Sequence, residues 1–148
     1  MTKVLVAEDN PVNRELLHEL LENRGYCVIE ACNGQEALGM VEQSQPDLLL
    51  LDIGMPGLDG FDVVRKIREN PGLATLPVLA VTAYAMRDDR DNVLNEGFDG
   101  YLSKPIHTRD LTNELERLLR KREDRNNAPR QSSEDTVSAK TEAAGLGK

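Results

Sequence analysis

The sequence predicts an α/β fold in which one parallel β-sheet carries helices on both faces. Short apolar runs alternate with longer segments of helical spacing, and these runs are residues 3–7, 27–31, 47–51, 77–81 and 99–102. Five such alternations are typical of parallel strands joined by helical crossovers. The third run contains four consecutive leucines without polar alternation, which indicates a central strand covered on both faces.

The first helix is predicted from its start signal and its apolar stripe. Asn10 suits the N-cap position and Pro11 the first helical position. The stripe at helical spacing consists of Val12, Leu16, Leu17, Leu20 and Leu21. Gly25 is expected to end this helix, because glycine adopts the left-handed backbone of a helix C-terminus at little cost.

The last helix marks the expected end of the folded domain. Behind Thr108 the apolar stripe recurs at Leu111, Leu115, Leu118 and Leu119. Residues 123–148 are mostly polar, and a segment of this kind buries too little apolar surface to order itself. We therefore expect one domain at residues 1–122 and a disordered tail at residues 123–148.

Composition excludes several classes of protein. No apolar run approaches the roughly 20 residues that cross a bilayer, and the N-terminus lacks the pattern of a signal peptide. We therefore expect a cytoplasmic protein that does not enter the membrane. The formal net charge of −8 argues against direct binding of nucleic acid, which requires a basic surface.

The cysteines and histidines do not suggest a metal or redox site. Cys27 and Cys32 lie in one extended segment about 16 Å apart, whereas a disulfide needs Cα atoms within about 7 Å. We expect both to be small buried hydrophobic residues. His18 and His107 are interpreted as surface residues.

Polar side chains follow four of the five predicted strands. Glu8 and Asp9 follow the first strand, Asp52 the third, Thr82 the fourth and Lys104 the fifth. Taken singly, Asp52 also fits a helix N-cap and Lys104 a solvated surface charge. Because an open α/β sheet binds its ligands beyond the carboxyl ends of its strands, we expect these five side chains to converge there.

The expected cluster is suited to phosphoryl transfer. Three carboxylates at one point repel each other unless a cation intervenes, and Mg²⁺ prefers carboxylate, phosphoryl and water oxygens. Lys104 would supply a second positive charge and Thr82 a hydroxyl donor. A carboxylate such as Asp52 is a competent nucleophile for a phosphoryl group when its oxygens are neutralised in this way.

The strand-end motifs resemble those of the receiver domain of two-component response regulators, the CheY-like superfamily. The motifs are LVAEDN at residues 5–10, LDIGMPGLDG at 51–60, AVTA at 80–83 and YLSKP at 101–105. They occur in the family's order and at its spacing, and the match spans residues 3 to about 121. The resemblance implies a flavodoxin-like, doubly wound fold with strand order 2-1-3-4-5 and five helices on both faces.

The resemblance also implies a role for each matching position. Asp52 would accept the phosphoryl group, and Asp52, Asp9 and the backbone carbonyl of Gly54 would bind Mg²⁺, with Glu8 helping through water. Thr82 would contact the attached phosphoryl group, Lys104 would pair with it, and Pro105 would follow a cis peptide bond. The remaining implied roles are a switch formed by Thr82 and Tyr101, and the tuning of phosphoryl lifetime by Gly54 and Tyr84.

These roles describe a single-domain response regulator that a histidine kinase or a histidine phosphotransferase phosphorylates. It would be a signalling module, catalysing only its own phosphorylation and aspartyl-phosphate hydrolysis. Its downstream protein target would bind the face formed by the fourth helix, fifth strand and fifth helix. The residues within and beside these motifs resemble those in receivers of hybrid kinases and in DivK-type stand-alone regulators. This resemblance favours a phosphorelay or kinase-controlling role.

Other classes of α/β protein fit the residues at the strand ends less well. A haloacid-dehalogenase-like phosphatase needs a second aspartate where this chain has Gly54. Flavodoxins and dinucleotide-binding folds need a phosphate-binding loop after the first strand, where Glu8 and Asp9 place negative charge instead. A receiver that binds partners without phosphorylation, and a receiver fragment of a longer regulator, remain open.

Overall fold

The computed structural model describes residues 2–83 and 90–127, with side chains through residue 123. Within them, strands and helices alternate as β1 Lys3–Ala7, α1 Pro11–Glu22, β2 Cys27–Ala31, α2 Gly34–Ser44, β3 Leu48–Asp52, α3 Gly60–Glu69, β4 Val78–Thr82, α4 Arg90–Asn95, β5 Gly100–Ser103 and α5 Thr108–Asn127. The strands are parallel in the order β2-β1-β3-β4-β5, which confirms the predicted fold class.

Strands β3, β4 and β5 begin and end one residue later than the sequence pattern predicted. The difference matters at the carboxyl end, because Asp52 and Thr82 are the last residues of their strands. Asp52 pairs in register with Val81, and Thr82 pairs with Ser103. Backbone pairing does not depend on side-chain polarity, so the ladder continues into the polar residues and fixes their positions rigidly.

The core consists of two apolar layers, one on each face of the sheet. Helices α2, α3 and α4 cover one layer, and α1 and α5 cover the other. Strand β3 contributes Leu49 and Leu51 to the first layer and Leu48 and Leu50 to the second. All four leucines are buried, as predicted for a central strand.

Helix α1 begins as predicted but buries only part of its apolar stripe. The Asn10 side chain accepts hydrogen bonds from two backbone amides of the first turn. Leu17 and Leu21 are buried, whereas Val12 is 72% exposed and Leu16 55% exposed. The ridge formed by Leu17 and Leu21 faces the sheet. The neighbouring ridge formed by Val12 and Leu16 lies at the edge of the contact between helix and sheet. Only part of the predicted stripe therefore contributes to the core.

The end of α1 agrees with the prediction. The last helical residue is Glu22, and Asn23 follows it with right-handed backbone. The Gly25 amide donates to the Glu22 carbonyl at 3.0 Å, and the Tyr26 amide donates to the Leu21 carbonyl at 3.2 Å. With φ of +90°, Gly25 supplies the left-handed backbone that this pair of hydrogen bonds requires, so it ends the helix as predicted.

Helix α5 extends past the predicted domain boundary. It continues to Asn127, and Leu111, Leu115 and Leu118 are buried along it. Arg122 anchors this end, since its Nη1 lies 3.2 Å from the Pro46 carbonyl and 3.3 Å from Asp47 Oδ1. The predicted tail beyond residue 127 lies outside the described residues and stays a prediction.

The cysteines are less buried than expected. Both are free thiols, but Cys27 is half-buried and Cys32 is exposed just after β2. Cys32 is exposed because it lies one residue past the strand, where the chain leaves the sheet.

Within residues 2–83 and 90–127, no helix combines the length and apolar character that a membrane crossing requires.

Candidate phosphoacceptor and metal site

Five predicted side chains meet at the carboxyl end of the sheet. Glu8 and Asp9 follow β1, Asp52 and Thr82 end β3 and β4, and Lys104 follows β5. Glu8, Asp52 and Thr82 are buried, with exposed fractions of 1%, 7% and 1%, whereas Asp9 is exposed. Buried polar side chains at the end of an otherwise apolar sheet indicate a functional site.

Lys104 joins two of the carboxylates. Its Nζ donates to Glu8 Oε1 at 2.9 Å and to Asp52 Oδ2 at 3.1 Å. The backbone amide of Lys104 donates to the Thr82 carbonyl at 2.8 Å, and the Lys104–Pro105 peptide bond is cis. The ammonium therefore lies between the two carboxylates and neutralises part of their charge.

The loop after β3 holds Asp52 from its other side. The Gly54 amide donates to Asp52 Oδ1 at 3.0 Å. The loop ends where the Asp59 side chain caps α3 by accepting from the Asp62 amide. A Cβ at Gly60 would lie 2.7 Å from the Ile53 Cα, so only glycine lets α3 start this close to the loop. Both oxygens of Asp52 are thus oriented by donors.

The Glu8 carboxylate is buried and has two hydrogen-bond donors. Its Oε1 accepts from Lys104 and its Oε2 from the Asn10 amide at 3.1 Å. Burial, reinforced by the charge of Asp52, raises the pKa of Glu8 despite these two donors. For Lys104, burial acts to lower the pKa, but the neighbouring carboxylates outweigh it and raise the pKa. The ammonium therefore stays charged, while the site still carries excess negative charge.

The carboxylates fit a hard divalent cation. Glu8, Asp9 and Asp52 each offer an oxygen, and the three oxygens lie within 4.8 Å of one another. Three carboxylates face one ammonium, and oxygen ligands of this kind suit Mg²⁺. Each of the three carboxylates can therefore supply an oxygen to such an ion.

The other predicted residues lie around this cluster. Tyr101 is half-buried on β5 in register with Ala80, and its ring packs against the layer covered by α2, α3 and α4. Gly54 is exposed, and its carbonyl remains a predicted ligand. Tyr84 lies outside the described residues.

With this geometry established, comparison with known proteins assigns a family. The model of the response regulator receiver domain matches residues 4–116. This chain belongs to the receiver family. Receivers are signalling modules of two-component systems, in agreement with the predicted class of function.

Individual relatives agree with that family. The polar-differentiation response regulator DivK of Brucella anthropi is 40% identical over 103 residues, which cover 70% of this chain and 84% of DivK. An uncharacterized 14.6 kDa protein of Leptolyngbya boryana is 44% identical over 73% of this chain and 82% of its own length.

Among solved structures, a similar one is the receiver domain of the sensor histidine kinase PA1611 from Pseudomonas aeruginosa. It is 35% identical, with a TM-score of 0.74, over 80% of this chain and 97% of that domain. That receiver has a magnesium ion coordinated in its active site cleft. A putative response regulator from Chloroflexus aurantiacus is 30% identical, with a TM-score of 0.77, over 80% and 98% of the two chains.

Sequence reasoning missed a row of charged side chains beside the site. Arg14 Nη1 donates to the backbone carbonyl of Glu8 at 2.9 Å, and Arg14 Nε donates to Glu30 at 3.2 Å. His18, interpreted as a plain surface residue, is half-buried between the carboxylates of Glu30 and Glu22. Only the pair of His18 and Glu22 has the i,i+4 spacing of a helix. Sequence spacing gives little sign of the other contacts, because they join α1 to the ends of β1 and β2 through the tertiary fold.

Proposed function

We propose that this protein is a single-domain response regulator that accepts a phosphoryl group on Asp52. The observation that supports this most directly is the environment of Asp52, a buried carboxylate held by the Lys104 ammonium and the Gly54 amide. Glu8 and Asp9 lie beside it with oxygens for Mg²⁺. A nucleophile surrounded by neutralising groups is the arrangement that phosphoryl transfer requires.

In the proposed reaction, an Asp52 oxygen attacks the phosphorus of a phosphohistidine. A P–O bond forms, the P–N bond breaks, and the histidine leaves as an imidazole that takes up a proton. Mg²⁺, held by Asp9 and Asp52, would neutralise the phosphoryl oxygens. Lys104 would release Asp52 and pair with the new phosphoryl group. Water later cleaves the acyl phosphate and returns the Asp52 carboxylate and inorganic phosphate.

The acceptor is tested by labelling. Incubation with a phosphorylated donor and Mg²⁺ should add one acid-stable, base-labile phosphoryl group, and chelation of the metal should prevent it. Asp52→Asn removes the nucleophile and should abolish labelling, whereas Asp47→Asn, just before the amino end of the same strand, should not. Labelling that persists in Asp52→Asn would place the acceptor elsewhere.

We propose that the phosphodonor protein contacts the exposed ridge of α1. A cleft of about 410 Å³ lies between α1 and the loop after β5, and its apolar lining includes Leu16, Leu20, Pro105 and Ile106. The same cleft reaches Glu8 and Lys104, so it opens onto the acceptor site. A protein that presents a histidine to Asp52 would lie over this surface and contact the exposed Leu16.

Two phosphodonors distinguish docking from chemistry. Leu16→Asp should slow transfer from a phosphorylated histidine phosphotransferase domain by about tenfold or more, because it places a charge in an apolar contact. Transfer from a small acyl phosphate should be unchanged, since that donor needs no protein surface. Glu19→Gln, also on α1, is the matched control. Equal slowing with both donors would show that Leu16 supports the fold or the site instead of docking.

A second cleft, of about 530 Å³, lies on the other side of the loop after β5, on the α4–β5–α5 face. Its lining residues include Arg90, Tyr101, Asp110 and Glu114. We propose this face for the downstream protein target. Tyr101 lines this cleft and lies on β5, the strand that pairs with β4 up to Thr82, so it could relate the state of the acceptor to the shape of the surface. A cytoplasmic location remains a prediction.

A further inference from the structure

Beyond the predicted ligands, one arginine makes direct contact with the backbone of the acidic loop. Strand β1 ends at Ala7, and the Glu8 amide still pairs with the Ala31 carbonyl at 3.1 Å. The Glu8 carbonyl accepts from Arg14 Nη1 at 2.9 Å. This carbonyl belongs to the peptide unit that joins Glu8 to Asp9. Any rotation of that peptide would move the Asp9 carboxylate, which is the exposed member of the acidic cluster.

Arg14 is itself held in place by a chain of charged groups. Its Nε donates to Glu30 Oε1 at 3.2 Å, at the end of β2. The other Glu30 oxygen lies 2.5 Å from His18 Nδ1, and His18 Nε2 lies 3.0 Å from Glu22. A guanidinium has donors in a rigid planar fork, so two acceptors on different elements fix its orientation. Only 18% of the Arg14 side chain is exposed.

We propose that Arg14 is a positioning residue of the phosphoacceptor site, which fixes the peptide between Glu8 and Asp9 and thereby the Asp9 carboxylate. Glu30 holds Arg14, and His18 holds Glu30. This inference rests on the proposed role of Asp9 in binding Mg²⁺. Groups that orient a ligand without touching the ion commonly change metal affinity by about 10- to 100-fold.

The test compares Arg14→Met with Arg120→Met, an exposed arginine on α5 that serves as the matched control. Two quantities are measured: the amide chemical shift of Asp9 without metal, and the Mg²⁺ dissociation constant from a titration followed by amide shifts. Arg14→Met should move the Asp9 amide and raise the dissociation constant about tenfold. Arg120→Met should change neither, and far-UV circular dichroism should show that both variants are folded.

Two further variants separate positioning from a general loss of structure. Arg14→Lys keeps the charge but reaches only one acceptor, so it should recover part of the Mg²⁺ affinity. Glu30→Ala should weaken Mg²⁺ in the same direction, and Arg14→Met combined with Glu30→Ala should be no weaker than Arg14→Met alone, because both act through one contact. These two variants carry the test if Arg14→Met does not fold.

The outcomes distinguish this inference from the proposed function. If wild-type protein binds Mg²⁺ while Arg14→Met and Arg14→Lys stay within about twofold of it, Arg14 does not position the site. Additive effects of Arg14→Met and Glu30→Ala would also overturn the inference. If the wild-type protein itself showed no Mg²⁺-dependent shifts at Asp9 and Asp52, the proposed metal site would be wrong.

Discussion

Lys104 shows how a single residue can have two tasks in one site. In the structure its ammonium donates to both Glu8 and Asp52 and offsets the charge of a crowded acidic pocket. In the proposed reaction the same ammonium pairs with the phosphoryl group. A lysine suits this exchange because its charge is a point at the end of a flexible stem, whereas an arginine fork would be held in one geometry.

Protonation of His18 should raise the free energy of unfolding. Both of its ring nitrogens lie within 3.0 Å of a carboxylate oxygen, and only the imidazolium donates from both nitrogens. Desolvation acts to lower the pKa of His18, but the hydrogen bonds to Glu22 and Glu30 outweigh it, so the pKa is raised above its ordinary value of 6.5. The folded state therefore holds the proton more tightly than the unfolded chain does.

The sign of the pH dependence follows from this raised pKa. The stabilisation should be fully present below pH 6.5 and lost as the pH rises through the higher pKa of the folded state. Urea unfolding from about pH 5.5 to about pH 8.5 should show a decreasing free energy of unfolding in wild-type protein. His18→Gln should reduce this slope, because it removes the imidazolium that both carboxylates hold. Parallel curves for the two proteins would contradict the prediction.

Arg68 joins three elements at the side of the molecule covered by α3 and α4. From α3 its guanidinium reaches the segment before β4 and the turn after α4, with donor–acceptor distances of 2.7 to 3.0 Å. Its four acceptors are the carbonyls of Gly97, Ala74 and Leu76 and the carboxylate of Asp99. Asp99 also accepts from the Val78 amide, so the start of β4 is tied to the same network.

We predict that Arg68→Met lowers the free energy of unfolding by about 2–3 kcal/mol, since it leaves several partly buried acceptors without their donor. Arg65→Met is the matched control on the same helix. Arg65 is 55% exposed and pairs with Asp62 and Glu96 at 3.1 and 3.6 Å, and exposed pairs of this kind contribute about 0–1 kcal/mol. Urea denaturation compares the variants. Similar losses for both would show that the Arg68 contacts are no stronger than a surface ion pair.

At the scale of the whole molecule, the proposed function requires that a phosphoryl charge added at Asp52 changes a distant surface. Thr82 is buried at the end of β4, and Tyr101 lies on the adjacent strand β5. Two conformations of similar free energy are required for such a switch. A few kcal/mol of differential contact shifts the balance between them, which one or two charge-assisted hydrogen bonds supply.

We predict that Thr82→Ala still accepts a phosphoryl group on Asp52, because the nucleophile and the carboxylates are intact. It should lose most of the change that phosphorylation causes on the α4–β5–α5 face. Amide chemical shifts at residues 104–110, with and without a beryllofluoride mimic, measure this change. Thr82→Ser keeps the hydroxyl and should behave like wild type. A full shift pattern in Thr82→Ala would exclude the hydroxyl as the trigger.

The sequence by itself determined the order of the elements, the central place of β3 and the residues at the strand ends. Those features depend on local signals, such as the Asn10 cap, or on the spacing of apolar residues, which distinguishes strands from helices wherever they lie in the fold. The rule that strand ends meet at one edge then identified Glu8, Asp9, Asp52, Thr82 and Lys104 as neighbours. The predicted bounds of β3, β4 and β5 were wrong by one residue, because local signals do not specify where backbone pairing between neighbouring strands begins and ends.

Only the tertiary structure decided how these side chains are connected. Lys104 and Glu8 are 96 residues apart, yet their charged atoms are 2.9 Å apart. The contact of Arg14 with the Glu8 carbonyl and the exposure of Leu16 depend on how far α1 extends over the sheet. Helical periodicity says which residues share a face, but the position of that face against its neighbours is set by packing between elements distant in sequence.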